Sequence, residues 1–147
     1  MDEATFRKNK DTLAYIEENI RNYYFKKRYQ RYNPSPEALN VFSSIQKSVN
    51  VIVLAARNCP ICIASIPVIL RLQLDVGNPN IDIRIIEESS PSLPDFLVDK
   101  KSPFIVFYDG EFNELFSLDQ KDIKDNFENS LVEELRKIDS DMLGTDI

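Results

Sequence analysis

Both cysteines of this chain lie in one short segment, Cys59–Cys62, which reads Cys-Pro-Ile-Cys. The segment follows the apolar run Val51–Ala56 and precedes a second apolar stretch, Ile63–Leu74. A short apolar run followed by a longer one predicts a strand that leads directly into a helix. At this spacing Cys59 lies at the helix N-terminus, open to attack from solvent, and Cys62 lies one turn inside. The arrangement predicts a dithiol redox site.

The composition restricts the chemistry that such a site can use. The chain has 147 residues, 43% of them hydrophobic, and a formal net charge of −6. This length suits one domain, and the negative charge argues against nucleic acid or a membrane as a general partner. The chain contains no histidine, which excludes Ser-His-Asp triads and Cys-His pairs. Two thiols are too few for an iron–sulfur cluster within one chain, so we predict no metal and no organic cofactor.

The N-terminal residues carry no targeting signal. Met1–Ala4 is acidic and polar, and no apolar signal segment follows it. We therefore expect a cytoplasmic protein. In a reducing compartment, two cysteines with no others in the chain are typical of a catalytic or metal-binding site rather than of a permanent disulfide.

The hydrophobic pattern predicts an α/β protein. Two helices are expected at the N-terminus, one over residues 4–24 and one that begins at Ser35–Glu37, where a capping serine precedes a proline. From Val51 onward the pattern predicts the order β-α-β-α-β-β-α, and hence a four-stranded mixed sheet flanked by helices. The first two strands should be parallel and the last two antiparallel, through a hairpin at Asp109-Gly110. The predicted strands are Ile52–Ala56, Ile81–Ile85, Phe104–Tyr108 and Phe112–Leu118, and the later helices are Pro60–Leu74, Ser92–Lys100 and Lys121–Ile138.

Paired cysteines and two prolines make the chain resemble the thioredoxin superfamily. Cys59 and Cys62 match the cysteine pair of that superfamily, and Pro67 matches the proline that kinks its active-site helix. Ser102-Pro103, directly before a strand and a hairpin, matches the cis-proline that faces the disulfide. The two leading helices resemble the N-terminal helical extension that some thioredoxin-like proteins carry.

The resemblance implies one thioredoxin-like domain over residues 1–147. Residues 1–49 would form the helical extension, and residues 50–140 would form the thioredoxin-like core.

The chain departs from thioredoxins at two positions near the cysteines. Asn58 stands where thioredoxins usually have tryptophan, and Val53 stands where they have a buried aspartate. The usual internal proton acceptor for Cys62 is therefore absent. Glu87 and Glu88, at the end of the second predicted core strand, are candidate acceptors. The Pro-Ile pair is similar to the Cys-Pro-x-Cys motif of glutaredoxins, although their Gly-Gly pair is absent.

The chemistry assigns a different role to each cysteine. Cys59 is predicted to attack a disulfide, because free N–H groups at a helix N-terminus stabilise a thiolate. Cys62 would then resolve the mixed disulfide. Arg57 is a candidate for a cation that stabilises the Cys59 thiolate. The resemblance implies that substrate is positioned by Pro60, Ile61, Ser102 and Pro103.

These observations predict a thiol–disulfide oxidoreductase. Its substrate would be a protein disulfide or a low-molecular-weight disulfide, with electrons supplied by a reductase or a thiol donor. Three alternatives remain: a thioredoxin-like binding, adaptor or redox-sensing module, two buried structural thiols, and a metal or cluster site shared by two chains. The basic segment Lys26–Tyr32 contains interleaved tyrosines, and we interpret it as a helix end rather than as a nucleic-acid site.

Overall fold

A computed structural model of the chain describes residues 1–138. The last two residues of the predicted core, 139–140, and the tail to residue 147 lie outside the described residues. The helices are α1 (Glu3–Arg7), α2 (Thr12–Asn19), α3 (Tyr23–Arg31), α4 (Pro36–Ser43), α5 (Pro60–Val76) and α6 (Gln120–Lys137). The strands are β1 (Lys10–Asp11), β2 (Val49–Ala55), β3 (Ile81–Glu87), β4 (Phe104–Asp109) and β5 (Glu114–Leu118), with a 3-10 turn at Asp95–Leu97.

The strands form one mixed sheet in the order β1-β3-β2-β4-β5. β2 and β3 are parallel, and β4 and β5 are antiparallel, which confirms the predicted strand directions. The prediction of four strands is wrong, because β1 adds a fifth at the edge of β3. Lys10 and Asp11 pair there with Ile85 and Arg84. A strand of two charged residues has no alternating hydrophobic pattern, so the sequence offers no signal for it.

The N-terminal extension contains four helices, and the predicted continuous helix over residues 4–24 is wrong. Asp2 caps α1 by accepting a hydrogen bond from the N–H of Thr5. Asp11 caps α2 in the same way through the N–H of Ala14, and Asn22 caps α3. Short polar side chains of this kind compete with helix carbonyls for backbone N–H groups. A new helix therefore begins directly after each of these three residues.

The segment before β4 also differs from its prediction. Instead of a helix over Ser92–Lys100, only Asp95–Leu97 forms a 3-10 turn. Pro94 directly precedes the turn, and a proline has no N–H to donate within a helix. Leu97 is buried, whereas Phe96 is 37% exposed.

The two faces of β2 bury alternate side chains in separate hydrophobic clusters. Val51 and Val53 share one cluster with α5 and with residues of α2, α3, α4 and α6. Ile52 and Leu54 point into the other cluster, which Phe6 of α1 helps to cover. Helices of the extension thus pack on both faces of the sheet, and α3 and α4 contact α5 directly. Across residues 1–138, no helix combines the length and apolar character that a membrane span requires.

Candidate active site

A short loop carries the chain from β2 to the first cysteine. Asn58 lies in this loop with φ +55°, in the left-handed region that asparagine tolerates better than most residues. Cys59 follows as the N-cap residue of α5, and Pro60 occupies the first helical position. A proline is favoured there because its missing N–H would have had no partner within the helix. Both cysteines are therefore placed as the sequence predicts.

The Cys59 sulfur lies against the first turn of α5. Its Sγ atom accepts a hydrogen bond from the N–H of Cys62 at 3.1 Å. The same thiol lies 3.9 Å from the carbonyl oxygen of Ser102, to which it donates. The side chain is half-buried, so solvent reaches it. A helix N-terminus with an N–H directed at the sulfur stabilises negative charge on that sulfur.

Cys62 occupies a different environment one turn further along. The residue is only 3% exposed. Burial raises the pKa of its thiol well above the ordinary value, and the hydrogen bond with Cys59 acts in the same direction. The negative charge of Glu88 raises the pKa further, whereas a backbone contact with Ala56 opposes the shift. Cys62 is therefore a protonated, shielded thiol at neutral pH.

Alkylation should distinguish the two thiols. At pH 8 we expect iodoacetamide to modify Cys59 about a hundredfold faster than Cys62, because only thiolates react and Cys62 is both protonated and shielded. Since the Cys62 pKa is raised, its modification should accelerate only at strongly alkaline pH or on unfolding. Peptide mass spectrometry over time gives both rates. Equal rates in the native protein would contradict this description of the site.

The segment before β4 lies beside Cys59. The Ser102–Pro103 peptide bond is cis, as the resemblance implied. The buried Ser102 donates from Oγ to Oε2 of Glu88 at 2.8 Å. Its carbonyl oxygen accepts a hydrogen bond from Nε2 of Gln120 at 2.7 Å, as well as the contact from Cys59. Ser102, which contacts Cys59, is therefore held by Glu88 and Gln120 from two other parts of the chain.

Arg57 is directed towards a carboxylate. Its side chain is 80% exposed, and its Nε atom lies 3.8 Å from Oε2 of Glu87. Glu87 also pairs with Lys10 of β1, at 3.4 Å. Within residues 1–138, no hydrogen bond or ion pair joins Arg57 to Cys59. A role for Arg57 in stabilising the Cys59 thiolate stays a prediction.

A polar cavity of about 370 Å³ adjoins Cys62 on the side of the extension. Tyr15 and Glu18 of α2 line it, together with Asn58, Cys62 and Glu87. Burial raises the pKa of Tyr15 above the ordinary tyrosine value, and the nearby Cys62 contributes to that shift. The predicted acceptor Glu87 thus shares a cavity with Cys62, and Glu88 reaches the site through Ser102.

Sequence reasoning missed two residues of this site. Gln120 contacts the Ser102 carbonyl from the first turn of α6, and Tyr15 contributes to the cavity wall. Neither residue belongs to a motif, and both reach the site through tertiary packing. The sequence therefore contains no local signal for either of them.

A half-buried thiol at the N-cap of one helix and a buried thiol on its first turn, beside a cis-proline and a mixed sheet, define a thioredoxin-like α/β protein. Comparison with known families supports this class directly. The chain belongs to the thioredoxin family, since the family model described as Thioredoxin matches residues 8–121. The match confirms the resemblance noted in the sequence and extends through most of the N-terminal helices.

Solved structures share the fold at low sequence identity. The crystal structure of an HIV epitope-scaffold is 17% identical with a TM-score of 0.72, covering 92% of this chain and 96% of that one. A protein of unknown function from Pseudomonas aeruginosa is 19% identical with a TM-score of 0.71, again covering 92% of this chain and 96% of that one. At such identities the likeness concerns the fold alone. No curated protein matches the chain.

Proposed function

We propose that the protein is a thiol–disulfide oxidoreductase in which Cys59 attacks a substrate disulfide and Cys62 resolves the intermediate. One observation carries the proposal. The half-exposed Cys59 sulfur accepts the N–H of Cys62 at 3.1 Å, while the Cys62 thiol is buried. The two thiols therefore differ in access, and burial raises the pKa of Cys62 so that this thiol stays protonated, which suits the two steps of disulfide exchange.

The first step forms a mixed disulfide. The Cys59 thiolate attacks one sulfur of the substrate, the substrate S–S bond breaks, and the second substrate sulfur leaves as a thiolate that takes up a proton. Cys62, buried and protonated, does not compete for the substrate. Pro60 is exposed and Ile61 half-buried on the same turn, so the substrate segment would lie across them and against Pro103, which has no N–H of its own.

The second step closes the Cys59–Cys62 disulfide. Cys62 loses its proton and attacks the Cys59 sulfur, the mixed disulfide breaks, and the reduced substrate leaves. Val53 is fully buried and apolar, so it cannot accept that proton. The carboxylate of Glu88 acts electrostatically on Cys62, and Glu87 borders the same cavity. We therefore propose that a carboxylate at the end of β3, that of Glu87 or Glu88, accepts this proton.

The cycle needs two electrons to restore both thiols. A reductase or a low-molecular-weight thiol in the cytoplasm would supply them, and the exchange itself requires no organic cofactor. The substrates would be disulfides of proteins or of small molecules.

Turnover of a fluorescent disulfide peptide tests the proposal. With dithiothreitol as the electron source, the wild-type protein should accelerate reduction at least about a hundredfold over Cys59→Ala, because only the wild type has an attacking thiolate. Circular dichroism of the variant serves as the folding control. If the two proteins reduce the peptide at the same rate, the enzyme proposal fails.

The apolar Val53 also favours a second candidate, a redox-sensing or adaptor module that binds partners without turnover. In that case partner binding should survive in a Cys59→Ala, Cys62→Ala variant, and the wild type should show no turnover in the peptide assay.

A further inference from the structure

A second concave surface of about 680 Å³ lies between α3, α6 and the N-terminal half of α5. We call it the α3–α6 groove. Pro60 and Ile61, the two residues between the cysteines, form one end of it. The groove therefore begins at the site of disulfide exchange and leads away from it along the N-terminal extension. Neither Ser102 nor Pro103 lines it, so it is separate from the cis-proline side of the site.

Three exposed cations line the groove: Arg28 and Arg31 of α3, and Lys124 of α6. Within residues 1–138, none of the three has a carboxylate oxygen within 4.0 Å. Arg28 is held in place, because its Nε atom donates to the carbonyl oxygen of Ala64 in α5 at 2.8 Å. The groove thus presents positive charge that no ion pair within the described residues neutralises.

The groove also contains two carboxylates, those of Asp125 and Glu128. Glu128 accepts a hydrogen bond from the hydroxyl of Tyr32. Burial raises the pKa of that tyrosine, and the hydrogen bond to Glu128 acts in the same direction. Asp125 lies next to the interruption of α6 at Asn126, where the backbone is extended (φ −164°, ψ 85°). Three cations face two carboxylates, so the groove carries a positive balance on a chain whose net charge is −6.

We propose that the α3–α6 groove docks an acidic segment of a disulfide-bearing protein substrate, adjacent to the cysteine that Cys59 attacks. This inference rests on the proposed oxidoreductase function. An acidic segment is repelled by most of this negatively charged surface and attracted at the groove, so it would be held in one orientation. The extension would thereby select substrates. The basic segment Lys26–Tyr32 would then contribute to substrate binding as well as form the C-terminal end of α3.

Single-turnover reduction of three disulfide peptides tests this selectivity. The peptides differ only in one flank, which carries four glutamates, four glutamines or four lysines. At low ionic strength we expect reduced wild-type protein to react about tenfold faster with the glutamate peptide than with the lysine peptide. The ratio should fall towards one near 1 M salt, where the screening length is only about 3 Å.

Charge reversal in the groove should invert the preference. Arg31→Glu with Lys124→Glu should favour the lysine peptide. The matched control is Lys8→Glu with Lys47→Glu, which changes the net charge equally at exposed sites outside the groove. An identical loss of preference in both double variants would overturn the proposal, since only net charge would then matter. Dimerisation of the wild type that the groove variant abolishes would also overturn it, in favour of a second copy of the chain.

Reduction of bis(2-hydroxyethyl) disulfide, which has no charge and no flanking peptide, tests the enzyme proposal independently of docking in the groove. If no disulfide is reduced, the oxidoreductase function fails, and docking is then measured by fluorescence anisotropy of the reduced, labelled flank peptides. Tighter binding of the glutamate peptide, lost in the groove variant, supports docking. Equal binding of all three peptides contradicts it.

Discussion

Cys62→Ser should convert the protein into a trap for its substrate. Cys59 remains at the N-terminus of α5, so the first attack proceeds. A serine hydroxyl cannot cleave the resulting mixed disulfide, and the complex accumulates. Catalytic turnover should fall by about a hundredfold or more, because release then depends on an external thiol. Non-reducing mass spectrometry after exposure to a disulfide peptide should show one peptide per protein, attached at Cys59.

Cys59→Ser is the matched control for the trap. It leaves only the buried Cys62, which is 3% exposed and has a raised pKa, so little adduct should form at neutral pH. The assignment of roles would be wrong if Cys59→Ser accumulated as much adduct as Cys62→Ser.

Phe42→Ala should destabilise the whole domain. Phe42 lies in α4 of the extension and is 1% exposed within the larger hydrophobic cluster. Removal of a buried phenyl ring from such a core costs about 3–5 kcal/mol in free energy of unfolding. The backbone at this position is held as well, since Nδ2 of Asn78 donates to the Phe42 carbonyl oxygen at 2.9 Å. Urea unfolding followed by circular dichroism gives the free-energy change.

Leu13→Ala is the control for that experiment. Leu13 belongs to the same extension, yet it is 65% exposed, so its truncation should change stability by at most about 0.5 kcal/mol. A small effect of Phe42→Ala, comparable to that of Leu13→Ala, would mean that the extension is not part of the core.

The placement of the two cysteines was predictable because its signals are local. The apolar run before Cys59, the proline at the first helical position and the spacing to Cys62 all act within a few residues. The strand directions followed from the order of elements and the hairpin. In each case hydrophobic periodicity and turn chemistry agreed, which is the condition under which sequence patterns are informative.

The features that the sequence did not predict depend on side chains that compete for backbone N–H groups, or on contacts between residues far apart in the chain. At the N-terminus, three side chains accept hydrogen bonds from backbone N–H groups, those of Asp2, Asp11 and Asn22. Each begins a new helix where the hydrophobic periodicity predicts a continuous one. Gln120 donates a hydrogen bond to the carbonyl oxygen of Ser102, eighteen positions earlier in the chain. No local pattern predicts that contact. Arg57 lies two residues before Cys59, as the sequence shows, but its Nε atom lies 3.8 Å from a carboxylate oxygen of Glu87.

The central claim is that Cys59 and Cys62 interconvert between two thiols and one disulfide within the folded chain. The most direct measurement equilibrates the protein with dithiothreitol redox buffers and counts free thiols together with the intact mass. We predict one two-electron transition, loss of two hydrogen atoms from a monomeric chain, and an unchanged circular dichroism spectrum. Two free thiols that persist in fully oxidising buffer, or oxidation only between chains, would contradict the account.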